Sequence, residues 1–108
     1  MLNPLKIGEM LSQANQMQEE VQRRLAETVV EGSSGGGAVA ATMNGKKQLL
    51  KIRIDPAAVL SLSGSQADVE MLEDLVVAAV NDAGRKAEEA MQSSVQGLLG
   101  GLKLPGLS

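Results

Sequence analysis

Apolar residues recur at helical spacing in the first part of the chain, with polar residues between them. They are separated by three, four, three and four residues, and they are Ile7, Met10, Ala14, Met17 and Val21. This spacing predicts an amphipathic α-helix, starting at the N-cap and proline Asn3-Pro4 and ending near Ala26. Its apolar face packs either against the domain's own core or against a helix of a second copy.

Three β-strands are predicted between this helix and Asp55. Thr28-Val29-Val30 is β-branched and starts the first strand. Residues 38–43 and 48–54 form the other two, because Asn44-Gly45 between them is a strong signal for a hairpin turn with positive φ at both central residues. The result is an antiparallel three-stranded meander.

A glycine-rich segment, Gly32 to Gly37, lies between the first two strands. Such a segment can form a phosphate-binding loop, but no Lys-Ser/Thr pair follows it and no helix begins after it. A flexible hairpin connection is therefore the better interpretation.

A second long helix is predicted after the sheet. Asp55-Pro56 ends the third strand, a short turn reaches Leu62, and Ser65 with Asp68 resembles a capping box. Apolar residues then keep the helical spacing to about Val95. The acidic residues near the helix start complement its dipole, which explains them without a bound metal ion.

The chain is predicted to form one α+β domain over residues 1–96, in the order α-β-β-β-α, followed by a tail over residues 97–108. The tail combines glycine, leucine and proline without helical regularity, which favours a flexible segment. Its five leucines leave docking on a partner protein or a second copy as the alternative.

The composition excludes most catalytic chemistry. The 108 residues include no His and no Cys, so the commonest general base, thiolate nucleophiles and soft metal ligands are absent. We therefore expect no enzyme activity, no catalytic residues and no metal. Aromatic residues are also absent, so aliphatic side chains must form the core, and association with a second copy would help to bury them.

Membrane insertion is not expected from the sequence. The N-terminal residues show no secretory cleavage pattern, and nowhere are about 18 apolar residues continuous. The sequence thus predicts a cytoplasmic protein without a membrane span. A transit peptide removed earlier would leave no trace.

The net charge of −3 is unevenly distributed. Residues 32–54 carry four basic and no acidic residues, whereas residues 55–96 carry two basic and eight acidic residues. This balance argues against strong nonspecific binding to nucleic acid and is compatible with a local basic patch.

Alternation along the third strand separates an apolar face from a basic one. The apolar face is predicted to be core and carries Leu50, Ile52 and Ile54. The other face carries Leu49, Lys51 and Arg53, together with Lys47. This basic face is either simply solvated or binds an anion.

Three stretches of the sequence are similar to a known family. They are Met17-Gln18-Glu19-Glu20, Thr42-Met43-Asn44-Gly45 leading to Ile52-Arg53-Ile54-Asp55-Pro56, and Glu70 to Val76 leading to Asn81-Asp82-Ala83. With this order and spacing, residues 5–95 resemble the YbaB/EbfC family of nucleoid-associated proteins. The resemblance implies an α-β-β-β-α protomer, a tweezer-like homodimer with protruding helices, and duplex DNA as partner. It implies a role in nucleoid organisation and gene expression, without catalysis or cofactor.

Gly84 is one of several departures from the family pattern. Leu50 stands where members often carry a second basic residue, Val80 where an aromatic residue is common, and Gly84 where alanine is usual. A glycine inside a helix destabilises it by about 1 kcal/mol relative to alanine. Either another part of the structure approaches the backbone at Gly84, or the helix is weaker there.

A duplex-binding homodimer is the leading functional hypothesis, with affinity supplied by cationic side chains that neutralise phosphates. The candidate DNA-binding residues are Arg23, Arg24, Lys46, Lys47, Lys51, Arg53, Arg85 and Lys86. Without aromatic side chains to stack on bases, single-stranded nucleic acid is the less suitable partner. The alternative hypothesis is a protein-interaction module whose helices or tail dock a targeting, ribosome-associated or chaperone partner.

Overall fold

The computed structural model describes residues 4–101. The elements, in chain order, are α1 (Pro4–Glu27), β1 (Val29–Ser34), a 3-10 turn (Gly35–Gly37), β2 (Val39–Asn44), β3 (Leu49–Ile54), α2 (Pro56–Leu60) and α3 (Gln66–Gly101). The α+β class and the predicted α-β-β-β-α order are confirmed, and the short helix α2 takes the place of the predicted turn. The predicted N-cap Asn3 and residues 102–108 of the predicted tail lie outside the described residues.

The three strands form one antiparallel sheet in the order β1-β2-β3, as predicted. Gly32 pairs with Ala41, and Ala41 pairs with Ile52, so these residues share the sheet face that carries the core. The pairing between β2 and β3 leaves Leu50 without an opposite residue on β2. Leu50 is 53% exposed. The predicted place of Leu50 in the core is therefore wrong, because a shift in the pairing register between Thr42 and Met43 interrupts the alternation there.

α3 crosses one face of the sheet and completes the core. The strand β2 contributes Val39, Ala41 and Met43 as buried side chains. α3 contributes a row at four-residue spacing, the alanine stripe, which consists of Ala79, Ala83 and Ala87. Because these side chains are small, the helix lies close to the strands.

β1 lies directly against the alanine stripe at Gly32. A Cβ atom on Gly32 would lie 2.1 Å from N of Ala83 and 2.6 Å from O of Ala79, so only glycine fits. The glycine-rich segment therefore begins inside β1, and Gly35–Gly37 form the predicted connection with positive φ. A Cβ atom on Gly84 would meet no described atom within 4 Å, so this glycine weakens α3 without serving a close contact in the protomer.

α3 begins at the predicted cap and ends later than predicted. Oγ of Ser65 accepts a hydrogen bond from N of Asp68 at 3.2 Å. The Ser63 hydroxyl and the Ser63 backbone N–H both donate hydrogen bonds to the Asp68 carboxylate. Both bonds lower the pKa of Asp68, the hydroxyl more than the N–H. The helix continues to Gly101, so the predicted end near Val95 is too early. The division between domain and tail at residue 97 remains a prediction.

α1 projects from the sheet. Leu25 is buried and Met17 and Val21 are partly buried, so the C-terminal half of the predicted apolar face packs within the protomer. In the N-terminal half, Met10 and Leu11 are 63% and 61% exposed. The radius of gyration of 21.0 Å exceeds the value of about 13 Å for a compact domain of this length. Within residues 4–101, no helix combines the length and apolar character needed to cross a membrane.

Candidate nucleic-acid interface

The turn between β2 and β3 lies against the C-terminal end of α1. N of Gly45 donates hydrogen bonds to O of Leu25 at 2.8 Å and to O of Thr28 at 2.9 Å. A Cβ atom on Gly45 would lie 2.9 Å from the same Leu25 oxygen, so the contact favours glycine. It places the C-terminal end of α1, which carries Arg23 and Arg24, beside the turn that carries Lys46 and Lys47, and these four residues are called the hairpin cluster.

Asn44 holds this turn in place. The residue is buried, and its Oδ1 accepts hydrogen bonds from N of Lys46 at 3.0 Å and from N of Gln48 at 3.1 Å. The predicted hairpin is confirmed, but the prediction of positive φ at Asn44-Gly45 is wrong. The positive φ of 62° belongs to Lys47, because the connection between the strands is longer than a two-residue turn.

An open groove separates this turn from α3. Its lining residues are Met43, Lys47, Val80, Asn81, Gly84, Arg85 and Glu88. Lys47 and Arg85, which are far apart in sequence, therefore border the same groove. The Lys47 ammonium forms an ion pair with the carboxylate of Glu88, and both side chains are about half exposed.

Lys51 and Arg53 lie on the sheet face opposite α3, as the alternation predicts. The prediction that Lys47 shares this face is wrong, because its ammonium pairs with Glu88 on α3. Lys51 pairs in register with Thr42, and Arg53 pairs with Ala40. This face is less basic than β3 alone suggests, because Oε1 of Glu31 on β1 lies 3.5 Å from Nη2 of Arg53. The structure therefore does not join these two candidates to the groove.

Lys86 and Asp82 connect α3 to the edge strand β1. Nζ of Lys86 donates to O of Glu31 at 2.9 Å, and Oδ2 of Asp82 accepts from N of Ser33 at 3.0 Å. The Ser33 N–H is the main reason that the pKa of Asp82 lies below its ordinary value. The Lys86 ammonium and the Arg85 guanidinium act in the same direction, against the opposing effect of partial burial. Lys86 is thus engaged in holding the helix on the sheet.

Ion pairs divide the candidate cations into two groups. Carboxylates pair with Arg24, Lys47, Arg53, Arg85 and Lys86. Within residues 4–101, Arg23, Lys46 and Lys51 have no ion pair. Exposed ion pairs contribute only about 0–1 kcal/mol each, so a phosphate can replace the carboxylate of a surface pair.

Glu31, Asp82 and Glu88 are carboxylate partners of candidate cations, a role that the sequence analysis did not assign to them. The ion pairs of Asp82 could have been predicted from the sequence, because Arg85 and Lys86 follow Asp82 by three and four residues on a helix. The pairs of Glu31 and Glu88 join residues on different elements, and helical or strand periodicity carries no signal for them.

The sequence and the fold have counterparts among known proteins. The profile of the YbaB/EbfC DNA-binding family matches residues 3–102. A nucleoid-associated protein of Acidobacterium capsulatum is 69% identical over 104 residues, covering 96% of both chains. A nucleoid-associated protein of Koribacter versatilis is 51% identical, covering 93% of this chain and 94% of its own. The crystal structure of an uncharacterized protein of Helicobacter pylori shares the fold, with a TM-score of 0.71, 20% identity, and coverage of 92% and 99%.

Proposed function

Because the chain belongs to the YbaB/EbfC DNA-binding family, we propose that it is a nucleoid-associated protein that binds duplex DNA as a homodimer. The names of its relatives support the nucleoid, within the cytoplasm, as its location. Its role in nucleoid organisation and gene expression depends on contacts with DNA and involves no catalysis.

The hairpin cluster is the observation that carries this proposal. Its four cations lie on the end of α1 and the adjacent turn, in a chain whose net charge is −3, so attraction for phosphates is local. Arg23 and Lys46 have no carboxylate partner within residues 4–101, and they are the phosphate contacts we expect first. Arg85 extends the same surface across the groove, whereas Lys51 and Arg53 form a separate patch.

The homodimer is supported by the apolar surface that one protomer leaves exposed. Exposed apolar residues occur on α3 and on β3, and they include Leu50, Met71 and Val77. Burying such surface in a second copy is favourable by about 25 cal/mol per Å². We expect a sedimentation equilibrium mass of about twice the chain mass of 11.2 kDa. A monomer at micromolar concentration would contradict this part of the proposal.

A dimer also doubles the number of phosphate contacts. With about three contacts per protomer, log K should fall with log salt concentration at a slope near −5, whereas a single protomer would give a slope near −3. A slope near zero would contradict the phosphate-contact mechanism.

Fluorescence anisotropy of a labelled duplex at several salt concentrations tests where the DNA binds. The hairpin variant is Arg23→Gln with Lys46→Gln, and the matched sheet variant is Lys51→Gln with Arg53→Gln. Each variant removes two positive charges. A loss of affinity confined to the hairpin variant supports the proposal. Equal losses in the two variants would mean that affinity depends on net charge and not on the position of the cations. No binding by the wild type at low salt would contradict duplex binding itself, provided that circular dichroism shows a folded protein.

A protein-interaction module is the second candidate function, and the exposed N-terminal half of α1 favours it. Met10 and Leu11 present apolar surface beyond the part of α1 that packs within the protomer. If a targeting, ribosome-associated or chaperone protein docks there, its capture should be lost in a Met10→Gln, Leu11→Gln variant that still binds duplex DNA. If the variant captured the partner protein as well as the wild type does, this face of α1 would not be the docking site.

A further inference from the structure

Lys47 combines a fixed backbone with an ion-paired side chain. N of Lys47 donates a hydrogen bond to O of Asn44 at 3.1 Å, and the positive φ of 62° directs the chain into β3. Its ammonium pairs with the carboxylate of Glu88 on α3. The side chains of Lys47 and Glu88 are 50% and 40% exposed, so water and dissolved ions reach both groups.

Glu88 differs from the other carboxylates that pair with candidate cations. Asp82 also accepts the Ser33 N–H and so holds α3 on β1, whereas Glu20 lies one turn before its partner on the same helix. Glu31 pairs with Arg53 on the sheet face opposite α3, away from the groove. Within residues 4–101, the Lys47 pair is the one polar contact of the Glu88 side chain. Glu88 also lines the groove that Arg85 borders. Its charge therefore lies in the surface proposed to receive phosphates.

We propose that Glu88 competes with a DNA phosphate for Lys47 and so limits the affinity of this surface for duplex DNA. The inference rests on the proposed function. A phosphate that reaches Lys47 displaces the carboxylate, but the carboxylate stays attached to α3 in the same groove. Its negative charge then repels the phosphate over a distance shorter than the Debye length of about 8 Å, where salt screens least. The ion pair that links the turn to α3 thus lowers the affinity for DNA.

Glu88→Gln and Glu89→Gln form a matched pair of variants for the test. Glu89 is the next residue on α3, is exposed, and has no ion pair within residues 4–101. Each substitution removes one negative charge and keeps the size of the side chain. In duplex anisotropy titrations at fixed salt, we expect Glu88→Gln to bind about two- to fivefold more tightly than the wild type. Glu89→Gln should bind like the wild type.

A double-mutant cycle with Lys47→Gln tests whether Glu88 acts through Lys47. In the Lys47→Gln background, Glu88→Gln should bring a much smaller gain, because only its repulsion of phosphates at Arg85 is then relieved. A gain of undiminished size there, or equal gains for Glu88→Gln and Glu89→Gln, would overturn the inference. If wild type and Glu88→Gln bound the duplex with equal affinity, the inference would be overturned and duplex binding would stand. If neither protein bound the duplex, the inference and the proposed function would both be overturned. Circular dichroism and sedimentation verify that every variant folds and associates as the wild type does.

Discussion

Gly32 and Ala83 are in backbone contact: a Cβ atom on Gly32 would stand 2.1 Å from N of Ala83. Next to this contact, Oγ of Ser34 donates a hydrogen bond to O of Leu75 at 2.5 Å, and Ser33 donates to Asp82. The strand β1 is therefore attached to α3 through its backbone and through polar side chains. A shift of α3 relative to the sheet would break all of these contacts together.

Gly32→Ala should destabilise the protein by about 3 kcal/mol, the upper range for overpacking in a core, because the added methyl group overlaps backbone atoms that cannot rotate away. Urea unfolding followed by circular dichroism at 222 nm measures the change. Wild type and variant must be compared at one protein concentration, since association contributes to stability. A Gly32→Ala variant as stable as the wild type would show that α3 can move outward without loss.

Gly84→Ala should have the opposite effect. The added methyl group would meet no described atom within 4 Å, and alanine favours a helix interior over glycine by about 1 kcal/mol. The same unfolding experiment should show a stability gain of that order. A loss instead would indicate that a second copy approaches Gly84 in the assembled protein.

Asn44→Ala should loosen the hairpin cluster. It removes the Oδ1 acceptor of the Lys46 and Gln48 N–H groups, with an expected loss of about 2 kcal/mol in unfolding free energy. Asn44→Asp keeps a carbonyl-type acceptor and should retain more of the stability. If Asn44→Ala matched the wild type in urea, water would be replacing the side chain at the turn.

Acid should weaken the Asp82 link between α3 and β1. Since folding lowers the pKa of Asp82 below its ordinary value of 3.8, the ionised carboxylate stabilises the folded state. This contribution is present above pH 3.8 and is lost as the pH falls through the lower pKa of the folded protein. Asp82→Asn should therefore be less stable than the wild type at neutral pH.

Thermal unfolding between pH 7 and pH 2 tests this dependence. The difference in melting temperature between wild type and Asp82→Asn should shrink below the ordinary pKa of 3.8. Asp74→Asn is the control, because Asp74 has no ion pair or side-chain hydrogen bond within residues 4–101. If the difference in melting temperature stayed constant across the acidic range, the effect of Asp82→Asn would come from the changed shape of the side chain and not from its charge.

The order of elements was predictable because each element carries a local signal. The spacing of Met10, Ala14 and Met17 predicts α1, and the β-branched residues at 28–30 predict β1. Glycines were ambiguous signals for the ends of elements. The sequence predicts that Gly97 begins a tail, but Gly97 lies inside α3. Only the packed structure shows that Gly32, and not Gly84, serves a close approach.

The candidate site was predictable in composition but not in arrangement. The basic residues of 32–54 are visible in the sequence, and so is the turn that carries Lys46 and Lys47. Their pairing depends on which element of the folded chain faces the turn, as the contact between Lys47 and Glu88 shows. The same holds for Arg53, whose partner Glu31 comes from across the sheet.

A core built without aromatic side chains also has an optical consequence. The contact between α3 and β1 is made by glycine and alanine, and the whole chain contains no Phe, Tyr or Trp. The protein is therefore nearly transparent at 280 nm and has no intrinsic tyrosine or tryptophan fluorescence. Absorbance of a complex at that wavelength would report the nucleic acid alone, so the two components could be quantified separately in one sedimentation run.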